Sequence, residues 1–263
     1  MLTRMKELDG YRILATDGDI GHAEDFLLDD EKFGIRFIVV NTGFWLFGRK
    51  VLISPHAVSR LDKVAGEIVV NLSQQQVKDS PDIDTEMPVS REHEMQLLRY
   101  YNWPVYWGGM GLWRESDKPQ LYPIERHSDE AVEKDSPPPF LLSPEGSELN
   151  PHLRSIKELR GYHIDARGSV FGHIEDAFVD NESWALRYLL VDTKSWWPSL
   201  PVPISTEWIT DISWEKSLIR VDLDPEQIKS APALSPHVPF DRTFEARLYS
   251  HYGKTGYWDR LAA

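Results

Sequence analysis

The chain has no cysteine among its 263 residues, and it has few positive charges relative to negative ones. Without cysteine there are no disulfides, no thiolate nucleophile and no cysteine-bound zinc or iron–sulfur site. The 42 acidic residues outnumber the 29 lysines and arginines, giving a formal net charge of −13. A nucleic-acid partner needs clustered positive charge, so this balance argues against RNA or DNA as the partner.

Long apolar runs are also absent from the sequence. No run approaches the roughly 20 residues of a membrane-spanning helix, and Met1–Glu7 lacks the apolar stretch of a signal peptide. We therefore expect a cytoplasmic protein. What the chain has is an ordinary globular composition, 41% hydrophobic and 27% charged, with ten residues each of Trp, Tyr and Phe.

An internal repeat organises the sequence. At an offset of 151 residues, 34 of the 106 positions in the range 2–107 are identical without a gap. Leu8–Ile13 aligns with Leu159–Ile164, and Gly21–Asp25 aligns with Gly172–Asp176. Self-similarity of this length at a fixed offset indicates a tandem duplication.

The repeat sets the expected domain organisation. Residues 1–107 form the first domain with a helical tail, residues 108–152 form a connector, and residues 153–263 form the second domain with its own tail. The connector carries 9 acidic and 4 basic residues and the run Pro137–Pro139. We expect an extended, solvated linker there, and an acidic docking segment is the alternative.

Strand patterns dominate each repeat. The apolar, β-branched run Gly34–Thr42, repeated at Ala185–Thr193, predicts a strand that is covered on both faces. Shorter strands are predicted around it at Tyr11–Ala15, Ile20–Leu28, Lys50–Ser54 and Glu67–Leu72. Five or six short strands at this spacing predict a small closed β-barrel.

Helix signals follow the strands. Ser73 and Gln76 have the spacing of a capping box, and Ser90 is positioned to cap a helix that begins near Arg91. In the second repeat, Asp241 is the corresponding cap and Gly253 the stop signal. The predicted fold class is therefore mainly β, with two tandem small β-barrels, each followed by short helices.

The order of these marks resembles the PRC-barrel family, named for the cytoplasmic domain of the photosynthetic reaction-centre H subunit. The marks are Leu8–Ile13, Gly21–Asp25 with Asp29, the apolar strand, and Gly43–Ser54. The second repeat departs from them where Ser199–Pro201 replaces Gly48–Lys50. The resemblance implies an assembly or docking module with no shared catalytic residues. A similar barrel in a ribosome-maturation factor binds a ribosomal protein.

Aromatic residues in the turn after the apolar strand are the predicted partner contacts. Turns lie at the surface, and interface hot spots favour Trp, Tyr and Arg. The predicted partner-binding residues are Phe44, Trp45, Phe47, Arg49, Lys50, Trp196 and Trp197. Packing of these turns against the protein itself is the alternative, and the sequence leaves both open. The leading interpretation is a non-enzymatic scaffold or adaptor, with the cytoplasmic face of a membrane complex as one place to dock.

Other functions have weaker support in the sequence. A ligand or metal site would use the paired residues His22, Glu24, His173 and Glu175, but each pair supplies only two of the three or four ligands that zinc needs. We therefore predict no metal or cofactor.

Catalysis and ribosome assembly are likewise not favoured. Ser54 and His56 lie close together, yet Glu207 replaces the histidine in the second repeat, so we expect no enzyme activity. A ribosome-assembly adaptor rests on barrel resemblance alone.

The duplication predicts two barrels packed as an intramolecular pseudo-dimer.

Overall fold

The computed structural model describes residues 1–82, 89–120, 152–193, 200–235 and 239–260. The fold is mainly β with several sheets and a few short helices, as the sequence predicts. None of the helices in these residues has the length and apolar character needed to cross a membrane.

The two repeats have corresponding strands and a corresponding tail helix, except that the second repeat has two strands where the first has β3. The strands of the first repeat are β1 (Leu2–Arg4), β2 (Arg12–Leu14), β3 (Asp19–Asp29), β4 (Ile35–Asn41), β5 (Lys50–Ile53), β6 (Val58–Asp62) and β7 (Glu67–Val70). Its helices are α1 (Met5–Leu8), α2 (Gln74–Lys78) and α3 (Arg91–Tyr100), with a 3₁₀ turn at Pro55–Ala57.

The second repeat divides the counterpart of β3 into two strands at Gly172. Its strands are β8 (Leu153–Ser155), β9 (His163–Ala166), β10 (Ser169–Phe171), β11 (His173–Asp180), β12 (Leu186–Asp192), β13 (Val202–Ser205), β14 (Ile209–Ser213) and β15 (Leu218–Val221). Its helices are α4 (Ile156–Leu159), α5 (Pro225–Lys229), α6 (Arg242–His251) and α7 (Tyr257–Arg260), with a 3₁₀ turn at Thr206–Trp208.

The chain divides into two compact units that differ from the domains expected from the repeat. One unit contains residues 9–154, and the other contains residues 1–8 together with residues 155–263. The difference arises because β1 pairs with β11 of the second repeat, and β8 pairs with β3 of the first repeat.

The unit of residues 9–154 is built on one sheet with the strand order β5-β4-β3-β2-β7-β6, and β8 pairs with β3 outside this order. Neighbours are antiparallel except β2 and β7, which are parallel. Six of the seven residues of β4 are buried, so the prediction of a strand covered on both faces is confirmed.

The unit of residues 1–8 and 155–263 contains two four-stranded sheets, with the orders β1-β11-β12-β13 and β10-β9-β15-β14. β9 and β15 are parallel, as are the corresponding strands β2 and β7 of the first repeat. β12 is also largely buried. A near-continuous run of apolar residues explains why the central strands lie in Gly34–Thr42 and Ala185–Thr193.

The predicted helix caps are confirmed. Ser73 and Gln76 form a capping box at α2, in which each side chain bonds the backbone of the other residue. The side chains of Ser90 and Asp241 accept hydrogen bonds from backbone amides at the starts of α3 and α6. Ser54 caps the 3₁₀ turn and accepts a bond from the amide of His56, which accounts for that pair structurally.

The first part of the predicted connector packs on its own unit. Trp113 is buried, and Lys32 Nζ donates hydrogen bonds to the carbonyl oxygens of Gly109 at 2.5 Å and Gly111 at 2.7 Å. The prediction of a solvated spacer therefore does not hold for this part. The triple proline lies in the range 121–151, outside the described residues.

Candidate interaction site

The turn between β4 and β5, which we call the aromatic loop (Gly43–Gly48), exposes two phenylalanines completely. Phe44 has a relative exposure of 104% and Phe47 one of 100%. Trp45 and Leu46, between them, are partly buried. The two phenyl rings are therefore apolar surface that nothing in the described part of the chain covers.

Backbone geometry holds the aromatic loop in one compact conformation. Gly43, Phe47 and Gly48 have φ values of +57°, +54° and +79°. Glycine adopts this left-handed region readily, whereas phenylalanine there is strained. The amide of Gly48 donates to the carbonyl of Gly43 at 2.6 Å, and the hydroxyl of Thr42 donates to the carbonyl of Arg49 at 2.6 Å. The loop is thus closed at its base.

Glu24 anchors the first end of the loop. Its carboxylate accepts a hydrogen bond from Asn41 Nδ2 at 2.8 Å and forms an ion pair with Lys50 Nζ at 2.8 Å. The side-chain carbonyl of Asn41 in turn accepts from the amide of Gly43 at 2.9 Å. The charge of Lys50 is therefore paired with a carboxylate of its own unit.

Arg49 anchors the other end by pointing towards the last residue of α2 and the residues that follow it. Its guanidinium donates to the backbone carbonyls of Lys78 at 2.9 Å, Ser80 at 2.5 Å and Pro81 at 2.9 Å. It also forms an ion pair with Asp82 at 3.2 Å. Of the five predicted contact residues in this loop region, Phe44 and Phe47 are the exposed ones, while Arg49 and Lys50 make contacts within the unit. Trp196 and Trp197 lie outside the described residues.

The motif Gly21–Asp25 is explained by the fold. A Cβ atom on Gly21 would lie 2.1 Å from the carbonyl oxygen of Asn41, so only glycine allows this approach of β3 to β4. A register shift follows between Ala23 and Asp25, and Asp25 Oδ1 accepts a bond from the next amide at 2.8 Å. This is a β-bulge with its carboxylate cap.

The second repeat builds the same bulge. A Cβ atom on Gly172 would lie 2.4 Å from the carbonyl oxygen of Asp192, and Asp176 caps the amide of Ala177 at 2.8 Å. His22 and His173 are exposed, whereas Glu24 and Glu175 are partly buried. Within the described residues, no group of three or more His, Asp or Glu side chains is arranged to hold a metal ion.

A buried polar cluster joins the tail helix α3 to the first barrel. Glu94 Oε2 accepts a hydrogen bond from the hydroxyl of Tyr106 at 2.5 Å and lies 3.4 Å from Arg91 Nη1. Burial raises the pKa of Glu94 to about 7, although Arg91 and Tyr106 act in the opposite direction. Arg36, which binds the carboxylate of Asp29, has its guanidinium 4.1 Å from the centre of the Tyr106 ring.

The second repeat has the matching cluster. Glu245 Oε1 accepts bonds from the hydroxyls of Tyr188 at 2.8 Å and Tyr257 at 2.9 Å. Arg242 lies 3.0 Å from Glu245 Oε2, and Arg187 lies 4.1 Å from the centre of the Tyr257 ring. In each repeat the tyrosine after the tail helix bonds the glutamate of that helix and lies against an arginine of the central strand, so these tyrosines have a structural role.

The connector completes the first cluster with Trp113. The ring centres of His56 and Trp113 are 4.7 Å apart, and His56 Nδ1 donates to the carbonyl oxygen of Gln120 at 2.8 Å. Burial and the charge of Arg36 lower the pKa of His56 to about 4, although the bond to Gln120 acts in the opposite direction. The sequence gives no signal for this role of His56, because its partners lie about 60 residues away in a segment with the composition of a solvated linker.

Part of this chain matches a known domain family. Residues 4–77 match the PRC-barrel domain. This range covers β2–β7 together with α1 and includes the aromatic loop, so the PRC-barrel resemblance of the first repeat is confirmed. PRC-barrel domains are modules of protein interaction and assembly. No curated protein matches the chain.

Proposed function

We propose that the chain is a non-catalytic docking protein that binds a protein partner through the aromatic loop of its PRC-barrel domain. The observation that carries the proposal is the full exposure of Phe44 and Phe47 on a closed loop. Burying either phenyl ring at an interface contributes roughly 1.5–3 kcal/mol of favourable free energy. A loop already held in one conformation loses little entropy on binding.

The charges around the loop define the kind of partner. The aromatic loop contains no charged residue, and the adjacent Arg49 and Lys50 are paired within the barrel. The expected partner surface is therefore an uncharged apolar pocket that receives two phenyl rings. The left-handed backbone of Phe47 supports this proposal, since strained backbone conformations cluster at functional sites.

Two further parts of the proposal rest on the repeat. We propose that the second repeat is also a PRC-type barrel, because its strand order, bulge and tail cluster correspond to those of the first. In the sequence, Trp196 and Trp197 align with Trp45 and Leu46 of the aromatic loop. By its resemblance to the reaction-centre subunit, the chain would find its partner at the cytoplasmic face of a membrane complex.

The experiment is capture of partners from the native cells with tagged wild-type chain and a Phe44→Ser, Phe47→Ser variant, analysing soluble and membrane fractions separately. The matched control is Val64→Ser, Met110→Ser, which removes two equally exposed apolar side chains elsewhere, at 100% and 102%. Thermal melts followed by circular dichroism check that all three proteins fold. The partner is then identified and its affinity measured with purified components.

A further inference from the structure

The central strands β4 and β12 carry an arginine at corresponding positions, but the two arginines have different surroundings. In the first repeat, Arg36 is buried, and its Nε and Nη2 donate to Asp29 Oδ2 at 2.9 Å and 2.5 Å. Its guanidinium lies 4.1 Å from the ring centre of Tyr106 and 4.7 Å from that of Trp113. The first repeat thus supplies its arginine with a carboxylate and two aromatic rings.

In the second repeat, Arg187 is partly exposed and has one of these partners. Its guanidinium lies 4.1 Å from the ring centre of Tyr257, the counterpart of Tyr106. Within the described residues its side chain forms no ion pair and no hydrogen bond, and its Nε is buried without an acceptor. A guanidinium has five N–H donors, so Arg187 retains the capacity to bind a planar anion.

A single difference between the repeats explains why Arg187 does not reach its aspartate. Gly34 of the first repeat corresponds to Ala185 of the second. A Cβ atom on Gly34 would lie 2.7 Å from Arg36 Cζ and 2.9 Å from both Nη atoms. The methyl group of Ala185 therefore excludes Arg187 from the position that Arg36 occupies.

The carboxylates of the second repeat leave the charge of Arg187 uncompensated. Asp180, at the position of Asp29, caps its own turn and makes no bond with Arg187. Glu245 lies 3.0 Å from Arg242 and accepts two tyrosine hydroxyls. An arginine without a carboxylate partner, held against an aromatic ring and open to solvent, has the chemistry of a carboxylate-binding site.

We propose that Arg187 and Tyr257 form a binding site for an acidic peptide in which a carboxylate side chain is next to an aromatic one. The carboxylate has the role that Asp29 has for Arg36, and the aromatic ring has the role of Trp113. Inorganic phosphate also binds arginine but carries no ring, so the arrangement in the first repeat favours the peptide. This site is separate from the aromatic loop and does not depend on the function proposed for it.

Titration of the full chain with the peptide acetyl-Asp-Trp-amide, followed through the NMR signal of Arg187 Nε, tests the proposal. The matched peptides acetyl-Asn-Trp-amide and acetyl-Asp-Ala-amide lack the charge and the ring, respectively. We expect saturable binding of the first peptide, with affinity reduced at least about tenfold for the Asn peptide and about threefold for the Ala peptide. Equal binding of the Asp and Asn peptides, tighter binding of inorganic phosphate, or no saturation up to about 10 mM would overturn the proposal.

Variants of the chain assign the binding to this arginine. Arg187→Gln should weaken binding of acetyl-Asp-Trp-amide at least about tenfold, whereas Arg167→Gln, which removes an arginine paired with Asp222 in the same unit, should not. Ala185→Gly keeps the arginine but opens the space beside Asp180, so it should also weaken binding, and it serves as the test if Arg187→Gln does not fold. Circular dichroism melts check folding. Undiminished binding by the Ala185→Gly variant or by a folded Arg187→Gln variant, or equal loss with Arg167→Gln, would contradict the assignment.

Discussion

At the scale of single residues, the corresponding buried glutamates of the two repeats have different sets of hydrogen-bond partners. Glu94 has one tyrosine hydroxyl and Arg91, whereas Glu245 has two tyrosine hydroxyls and Arg242. The extra hydroxyl comes from a tyrosine in β12 at the position where β4 has a phenylalanine. The difference offers a matched test of what one buried hydrogen bond contributes.

We expect Tyr106→Phe to destabilise its unit more than Tyr257→Phe destabilises the other. Removing the Tyr106 hydroxyl leaves Oε2 of Glu94 without its short hydrogen bond, at a cost of about 1–3 kcal/mol. Removing the Tyr257 hydroxyl leaves Glu245 Oε1 still bonded to Tyr188, so the expected loss is about 1 kcal/mol. Urea unfolding monitored by circular dichroism measures both. Equal losses would contradict this account of the clusters.

His56 makes the stability of the first barrel depend on pH. Its folded pKa of about 4 lies below the ordinary value of 6.5, so the unfolded chain binds a proton that the folded chain does not. The contribution of neutral, buried His56 to the free energy of unfolding is complete above pH 6.5 and is lost as the pH falls towards 4. Its upper limit is about 3 kcal/mol.

The comparison of wild type with His56→Gln measures this contribution. The difference in unfolding free energy between the two proteins should change between pH 7 and pH 4, in the direction that favours the variant at low pH. The many carboxylates titrate in both proteins and cancel in the difference. A difference that stays constant over this range would show that His56 is not buried in its neutral form.

At the scale of elements, the bulge in β3 depends on one glycine. We expect Gly21→Ala to prevent normal folding of its unit, because the added Cβ would overlap the Asn41 carbonyl at 2.1 Å. Gly43→Ala is the control, since no atom lies within 4 Å of its added Cβ and only backbone strain of about 1–3 kcal/mol is expected. Thermal melts distinguish the two, and a Gly21→Ala variant as stable as Gly43→Ala would contradict the assignment.

Most elements were predictable from the sequence, and the exceptions have physical causes. The strand predicted at Ile20–Leu28 is β3, and that at Lys50–Ser54 is β5, because their apolar residues are buried and flanked by turn residues. The sequence does not predict β6, since none of its five residues is buried and its two apolar residues, Val58 and Leu61, do not alternate with polar ones. β1 was missed because three residues are too few to show a period.

At the scale of the whole molecule, the sequence predicted two repeats but not the exchange of their first strands. The two first strands share the residue type of Leu2 and Leu153, and Lys6–Leu8 aligns with Lys157–Leu159 in the short helices that follow. An alignment of the repeats places each first strand with its own repeat and carries no information about the exchange. The fold class was predictable from local patterns, whereas this connectivity depends on tertiary contacts.

The proposed docking function also depends on the exposure of the aromatic loop, which the sequence alone does not decide. The pattern of Phe44–Phe47 was compatible with packing against the protein, and the aromatic loop instead presents its two phenylalanines to solvent. The positive side chains beside it, predicted as contacts, serve as the anchors of the loop. The proposed interface is accordingly smaller and more apolar than the sequence suggested.

The most direct test is the affinity of the captured partner for the three purified proteins. The account predicts that Phe44→Ser, Phe47→Ser binds at least about tenfold more weakly than wild type, since two interface phenylalanines contribute more than 1.4 kcal/mol together. Val64→Ser, Met110→Ser should bind as wild type does. Undiminished binding by the loop variant, equal loss by the control, or the absence of any captured partner would contradict it.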